Sequence, residues 1–185
     1  MTDIRVIMPQ TTKERLMTKR EQLAYIAGLM DGEAYFGVKK SKAYKCQGRV
    51  TPGYHARIQV RMVDEQAIAF IATTLGEGWY YKEKPHSAKG RPLYCYQASD
   101  AAAERILRQV LPFLTVKKEQ AETILRLRKL QATSQRHKTK VVGEKPFPNR
   151  YGTVRMVAVK CLSDEYVGQC EEAYLACKRL NKVGI

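Results

Sequence analysis

The chain has 185 residues, with 33 Lys and Arg against 18 Asp and Glu and a formal net charge of +15. That length suits one domain, or one domain with an appendage, able to bury its own core. The charge points to a polyanionic partner, nucleic acid ahead of an anionic membrane surface. No run approaches the roughly 18 apolar residues of a membrane span, and the polar start of the chain (Thr2, Asp3, Arg5) lacks a signal-peptide core, so a soluble, intracellular protein without a membrane partner is expected. Five cysteines, Cys46, Cys95, Cys161, Cys170 and Cys177, form no C-x-x-C pair. An odd number without that spacing implies free thiols rather than a disulfide framework or a zinc site.

Residues 1–20 have no clear periodicity and read as a leader. A helix is predicted over about 21–32, with Leu23, Ile26, Ala27 and Met30 on its apolar stripe and Ala24, Gly28 and Gly32 on a neighbouring face without side-chain bulk. A bare face of that kind lets a second backbone come close, so the helix is suited to touch its own core and another helix of its kind. Asp31 and Glu33 stand at its end. Ala34 to Lys40 reads as a strand and Ser41 to Gly53 as a loop dense in Lys42, Tyr44, Lys45 and Arg49. In the run from Tyr54 to Val63, Ile58, Val60 and Met62 face one way and Arg57, Gln59 and Arg61 the other. Asp64 is placed to cap a helix carrying Ala67, Ile68, Ile71 and Leu75, which Gly76 stops. Trp79–Lys84 and Arg91–Ala98 read as a hairpin. Tyr80, Tyr94 and Tyr96 are expected on the core side, leaving Tyr81, Lys82, Arg91, Cys95 and Gln97 available to a ligand. Ser99 or Asp100 caps a further helix ended by Pro112, and another runs over about 115–131.

Residues 132–152 are basic, proline-bearing and unpatterned; they read as a linker or arm along a phosphate backbone, with Lys138 and Lys140 as contacts. A short strand over 154–159 and a helix over 163–181, with Tyr166, Cys170, Ala173, Tyr174 and Cys177 on one face, complete a C-terminal extension over 153–185. The fold class is α+β, αββαββα with an antiparallel, saddle-like sheet carrying helices on one face, over a core at 21–131. A C-terminal helix is added to it.

A sheet face made of Lys39, Arg57, Gln59 and Arg61 suits the DNA major groove, where Arg pairs with guanine and Gln with adenine. Any one of these charges would also sit on an ordinary solvated face; the excess across the set favours binding. Hard oxygen ligands at the end of a rigid helix suit Mg²⁺, which takes one or two carboxylates with waters and phosphate oxygens, although a cap or a surface charge would use the same residues.

The nine residues Ile26-Ala27-Gly28-Leu29-Met30-Asp31-Gly32-Glu33-Ala34 resemble the signature of the LAGLIDADG homing endonucleases, with Ala at the last position where Gly is usual. Gly76-Glu77-Gly78-Trp79-Tyr80, Arg91–Tyr96, Leu111–Ala121 and Glu172–Gly184 are similar to later segments of the same family. The resemblance implies a metal-dependent, site-specific DNA endonuclease. Glu33 and the Gly32 carbonyl would hold Mg²⁺ (or Mn²⁺ or Ca²⁺), Lys117 would assist catalysis and Asp31 would fix the helix ends. The family's water-ordering Gln falls near Gln59-Val60-Arg61-Met62, where Met62 stands in its place; Gln59 or Arg61 would then act, or the role is absent. A single motif implies a homodimer joined through Ala24, Ala27, Gly28, Asp31 and Gly32, and hence a long, near-palindromic double-stranded DNA target. The setting it suggests is a prokaryotic or phage-host cytoplasm or an organelle. The alternative is an intron RNA-splicing maturase, or a non-cleaving nucleic-acid binder of the same fold.

Overall fold

Thr18 starts the first helix. Its hydroxyl accepts from the Glu21 N–H while the Glu21 carboxylate accepts from the Thr18 N–H at 2.8 Å, a reciprocal capping box that sets the start of α1 (Lys19–Glu33) two residues before the expected position. The computed structural model describes residues 17–42, 44–46, 49–84, 90–133, 138–148 and 150–183. The helix buries Ile26, Ala27 and Met30, and its chain then turns directly into β1 (Ala34–Lys40). Alternation in β1 and in β4 (Tyr54–Met62) sends Phe36, Val38, Ala56, Ile58 and Val60 into the core.

Between these strands the expected loop is a small antiparallel ribbon, β2 (Tyr44–Cys46) with β3 (Arg49–Thr51). Tyr44, Val50 and Thr51 carry strand propensity that the density of basic residues masks in the sequence. Asp64 caps α2 (Glu65–Leu75) by accepting from the Gln66 and Ala67 N–H groups, and Gly76, in the left-handed conformation at φ 66°, ends it. Gly78 follows at φ 78°, where a Cβ would also meet the Gln97 carbonyl at 2.7 Å. β5 (Trp79–Glu83) then pairs with β6 (Leu93–Ser99).

The four long strands form one antiparallel sheet in the order β1-β4-β6-β5. α1, α2, α3 (Asp100–Val110) and α4 (Lys118–Gln131) supply Ile26, Ile68, Ile71, Ile106, Leu107, Ile124 and Leu127 to the core against one face of it. A short 3₁₀ turn, Leu111–Phe113, separates the last two. Asp100 sits at φ 47°, and that backbone turn lets its carboxylate reach back to β4. It accepts from the Ala56 N–H at 3.1 Å and lies 3.0 Å from His55 Nδ1.

Within the stretch expected to be an unpatterned arm, residues 139–148 form a strand, while 134–137 and 149 lie outside the described residues. β7 (Thr139–Pro148) pairs along its length with β8 (Val154–Leu162), with an irregularity between Val141 and Gly143. Pro146 and Pro148, which argue against a central strand, are tolerated because both strands of a two-stranded ribbon are edges. α5 (Asp164–Val183) closes the chain along β1, with Cys170 and Cys177 in the main core cluster. Asn181 Nδ2 donates to the Phe36 carbonyl at 2.7 Å, covering part of the free β1 edge. Glu171 accepts from Lys40 Nζ at 2.7 Å and from the Tyr54 hydroxyl, and these bonds hold its carboxyl below the usual range. Burial pushes the Cys177 thiol up to about 11, and Cys95, Cys161, Cys170 and Cys177 are all free thiols. Among the described residues no helix is long and apolar enough to cross a membrane.

Candidate active site

The C-terminal end of α1 is held from below by the segment that leads into α4. The Asp31 carboxylate accepts from the Thr115 N–H at 2.7 Å and from the Lys117 N–H at 2.9 Å. Lys117 Nζ donates in return to the carbonyls of Met30, Asp31 and Gly32, at 3.2, 2.7 and 3.3 Å. A cation there offsets the negative end of the helix dipole and supplies donors to the Asp31 and Gly32 carbonyls, beyond the Met30 carbonyl that already accepts from the Ala34 N–H. Desolvation lowers the Lys117 pKa, while Asp31 and Glu33 oppose that shift. The effect of the two links is to fix Gly32 and Glu33 relative to the segment that leads into α4. Replacing Asp31 by Ala strands two N–H groups and is expected to cost about 1.5–3 kcal/mol in urea unfolding; a change below about 0.5 kcal/mol would show that the clamp is not needed.

Glu33 itself is exposed, the last residue before β1. It lines an open cleft of about 520 Å³ together with Tyr35, Lys39, Arg57, Gln59 and Arg61. Residues paired across antiparallel strands share a face, so the register defines rows over the outer side of the sheet. Tyr35, Gln59, Gln97 and Trp79 form one row, and Arg61, Cys95 and Tyr81 the next. The polar side chains support one another. Arg57 Nη2 donates to Gln97 Oε1 at 2.8 Å, and Arg61 is held between Glu83, at 3.0 Å, and the Gln59 amide oxygen, which accepts from its Nε at 3.0 Å and Nη2 at 3.1 Å. A guanidinium fixed on two sides keeps its outer edge aimed at the cleft with little rotamer entropy left to lose.

No protein-family model matches the chain, and no curated protein matches it. Solved structures do. The homing endonuclease I-TnaI is similar with a TM-score of 0.52 at 16% identity, over 86% of this chain and 93% of that one. The homing endonuclease I-CvuI in complex with its target, in the presence of 2 mM Ca, gives 0.51 at 18% identity, over 60% of this chain and 68% of that one. The chain has the LAGLIDADG homing-endonuclease fold. I-CvuI with the I-CreI target and 2 mM Mg, its DNA not cleaved, gives a TM-score of 0.50 at 18% identity over the same shares.

Within this LAGLIDADG fold the residues singled out from sequence separate into groups. Lys39, Arg57, Gln59 and Arg61 line the same cleft as Glu33, strung along it with Lys39 at the far end, and Tyr81 and Gln97 share their sheet face. Cys95 has the expected parity but is fully buried, packed 3.1 Å from the end of the Gln59 amide, so it supports the surface without reaching a ligand. Lys82 pairs with Tyr94 on the opposite, helix-bearing side, its ammonium 5.6 Å from the Tyr94 ring centroid. Arg91 precedes β6 and is exposed. Lys42 is exposed beyond β1; Lys45 and Arg49 lie on the β2–β3 ribbon, and their side chains are outside the described residues. Lys138 and Lys140 are engaged at the base of the β7–β8 ribbon, with the Gln131 carbonyl and Asp164 respectively. On α1, Ala24, Gly28 and Gly32 are exposed, whereas Ala27 is buried in its own core and cannot face a second chain.

Sequence reasoning missed three contributors. Tyr35 and Trp79, 45% and 48% exposed, flank the glutamine row. Glu83 orients Arg61. Period-two alternation from Lys39 back to Tyr35, and from Tyr81 to Trp79 and Glu83, carries that signal once the parity of each strand is known.

Proposed function

We propose that the chain is a divalent-metal-dependent, site-specific DNA endonuclease that works as a homodimer on a long, near-palindromic duplex. The observation that carries this is Glu33, an exposed carboxylate at a braced helix end, opening onto the same cleft as Arg57, Gln59 and Arg61. Chemistry and duplex recognition then share one surface. Among the described residues no three His, Cys, Asp or Glu side chains converge. A donor set of one carboxylate and one main-chain carbonyl from each of two chains fits Mg²⁺, which takes few protein ligands and keeps waters and phosphate oxygens. Glu33 and the Gly32 carbonyl would hold the ion, with Mn²⁺ or Ca²⁺ able to occupy the same oxygens. When bound, it supplies Lewis-acid stabilisation of charge on the scissile phosphate.

The chain's own residues do the positioning. Lys117 directs its N–H groups at three carbonyls and so sets where the Gly32 oxygen points, acting on the site through the helix end. Arg57 and Arg61, each tethered to a neighbouring amide, present fixed donors to phosphate or base edges. Met62 lies on the core-facing side of β4 and Gln59 is locked to Arg61, so neither is poised to order a nucleophilic water. We infer that neither residue takes this role, which leaves Arg61 or no residue of β4.

The test is a plasmid bearing the two sequences that flank the coding segment, joined as one site. Double-strand cutting is expected with Mg²⁺ and none with a chelator. Tight, salt-sensitive binding without cutting in Mg²⁺ or Mn²⁺ would instead establish a non-cleaving binder.

A further inference from the structure

The β7–β8 ribbon has almost no core of its own. Only Val159 and Cys161 are buried, at its base, while Val141, Val154 and Met156 are each close to 60% exposed and Phe147 is 48% exposed. An isolated two-stranded hairpin is marginally stable in water at best, so an extended ribbon that exposes this much apolar surface is shaped for a partner. Between Lys138 and Leu162 the sequence holds six basic side chains and one acid, Glu144. Lys138 and Lys140 serve the base, whereas Lys145, Arg150, Arg155 and Lys160 are exposed along the ribbon and at its turn. Cross-strand pairing puts Lys145 and Arg155 on one face, beside Val157 and Phe147, and Lys160 on the other.

We propose that this ribbon is a second DNA-binding element, gripping the duplex beyond the stretch covered by the four-stranded sheet. The proposal rests on the endonuclease reading for the identity of the polyanion. Its nine paired positions span about 30 Å, close to one turn of duplex, and a two-stranded ribbon fits the major groove. The base is fixed. Ser163 N–H donates to the Lys138 carbonyl at 2.7 Å, Lys138 Nζ to the Gln131 carbonyl at 2.8 Å, and Gln131 Nε2 to the Tyr54 carbonyl at 2.7 Å. The ribbon therefore springs from the Lys40–Tyr54 end of the sheet, about 23 Å along β1 from Glu33, where contacts would lengthen the site outward. A second copy of this chain is a poorer occupant, because it would bring a basic ribbon against another body of charge +15.

The experiment measures binding of the full chain to a random-sequence 40-base-pair duplex by fluorescence anisotropy over a salt series. Three proteins are compared with wild type: Lys145→Gln/Arg155→Gln/Lys160→Gln, its conservative counterpart Lys145→Arg/Arg155→Lys/Lys160→Arg, and the sheet variant Arg57→Gln/Arg61→Gln. Each phosphate contact contributes about 0.9 to the slope of log affinity against log salt. The Gln ribbon variant is expected to lose about 2 or more from that slope and to weaken binding at least about tenfold, with the charge-conserving variant close to wild type and circular dichroism unchanged. A slope within about 0.5 of wild type for the Gln ribbon variant, while the sheet variant binds weakly, overturns the ribbon proposal and leaves the endonuclease reading standing. Wild type that fails to bind duplex at all overturns both. Conversion of a wild-type dimer to monomer by the Gln ribbon variant, in sedimentation velocity with the slope unchanged, assigns the ribbon to a second copy and overturns it.

Discussion

Replacing Glu33 by Gln is expected to abolish cleavage, slowing single-turnover cutting by about 10³-fold or more, while duplex affinity stays within about threefold of wild type. The amide keeps the shape of the side chain and removes only its charge, so the substitution separates electrostatics from packing. Glu33 is exposed, and among the described residues it has no hydrogen bond or ion pair that the fold depends on; the variant should unfold at the wild-type urea concentration. What is lost is the anionic oxygen that would hold a divalent ion beside the scissile phosphate. Binding should persist because the proposed duplex contacts, Arg57, Gln59 and Arg61, are other residues of the cleft. Removing a negative charge next to a polyanion can only help association in the absence of metal. Undiminished cutting by this variant would remove Glu33 from the mechanism. Asp31 offers the matching control, since its carboxylate is spent on the Thr115 and Lys117 N–H groups. Its replacement should lower stability first, and activity only as the helix end moves.

The place of Asp31 in fixing the helix end was legible in sequence, and so was the frame that carries both carboxylates. Period-3.6 and period-two patterns marked α1, β1, β4 and α2, and Asp64 and Gly76 bounded α2 with the capping chemistry the spacing implies. What escaped had physical causes. Lys45 and Arg49 made the 41–53 segment look like a charged loop, although the strand formers Val50 and Thr51 pair there. Pro146, Pro148 and Gly143 hid β7, because a ribbon made only of edges lacks the constraint that excludes proline from central strands. Cys95 had the right parity and the wrong depth. Its neighbours Gln59 and Tyr81 cover it, a property of side-chain length across strands that alternation in a single strand does not encode. The same holds for Ala27, whose position in the motif says nothing about which of two adjacent faces the core takes.

That choice of face carries the second large effect. Apart from its chain neighbours and the helix's own backbone, a Cβ built on Gly28 or on Gly32 meets nothing within 4 Å among the described residues, and Ala24 beside them is exposed. A folding core would not leave three consecutive positions of a helix face so bare, whereas two helices crossing at close range require it. Gly28→Leu should therefore leave the monomer fold intact, or stabilise it by up to about 1 kcal/mol through helix propensity. It should weaken homodimerisation by about 100-fold or more, since overpacking a close backbone contact on both sides of a two-fold axis acts twice. Double-strand cleavage should fall with it, because one chain supplies only one Glu33. Sedimentation equilibrium reads the dimer, urea unfolding the monomer and plasmid cutting the activity. A variant that stays dimeric and active would place the interface elsewhere on the surface. A variant that unfolds early would mean that the glycine face is needed within the chain. Only loss of dimer and cutting together, with the unfolding midpoint preserved, agrees with two motif helices meeting through their glycines.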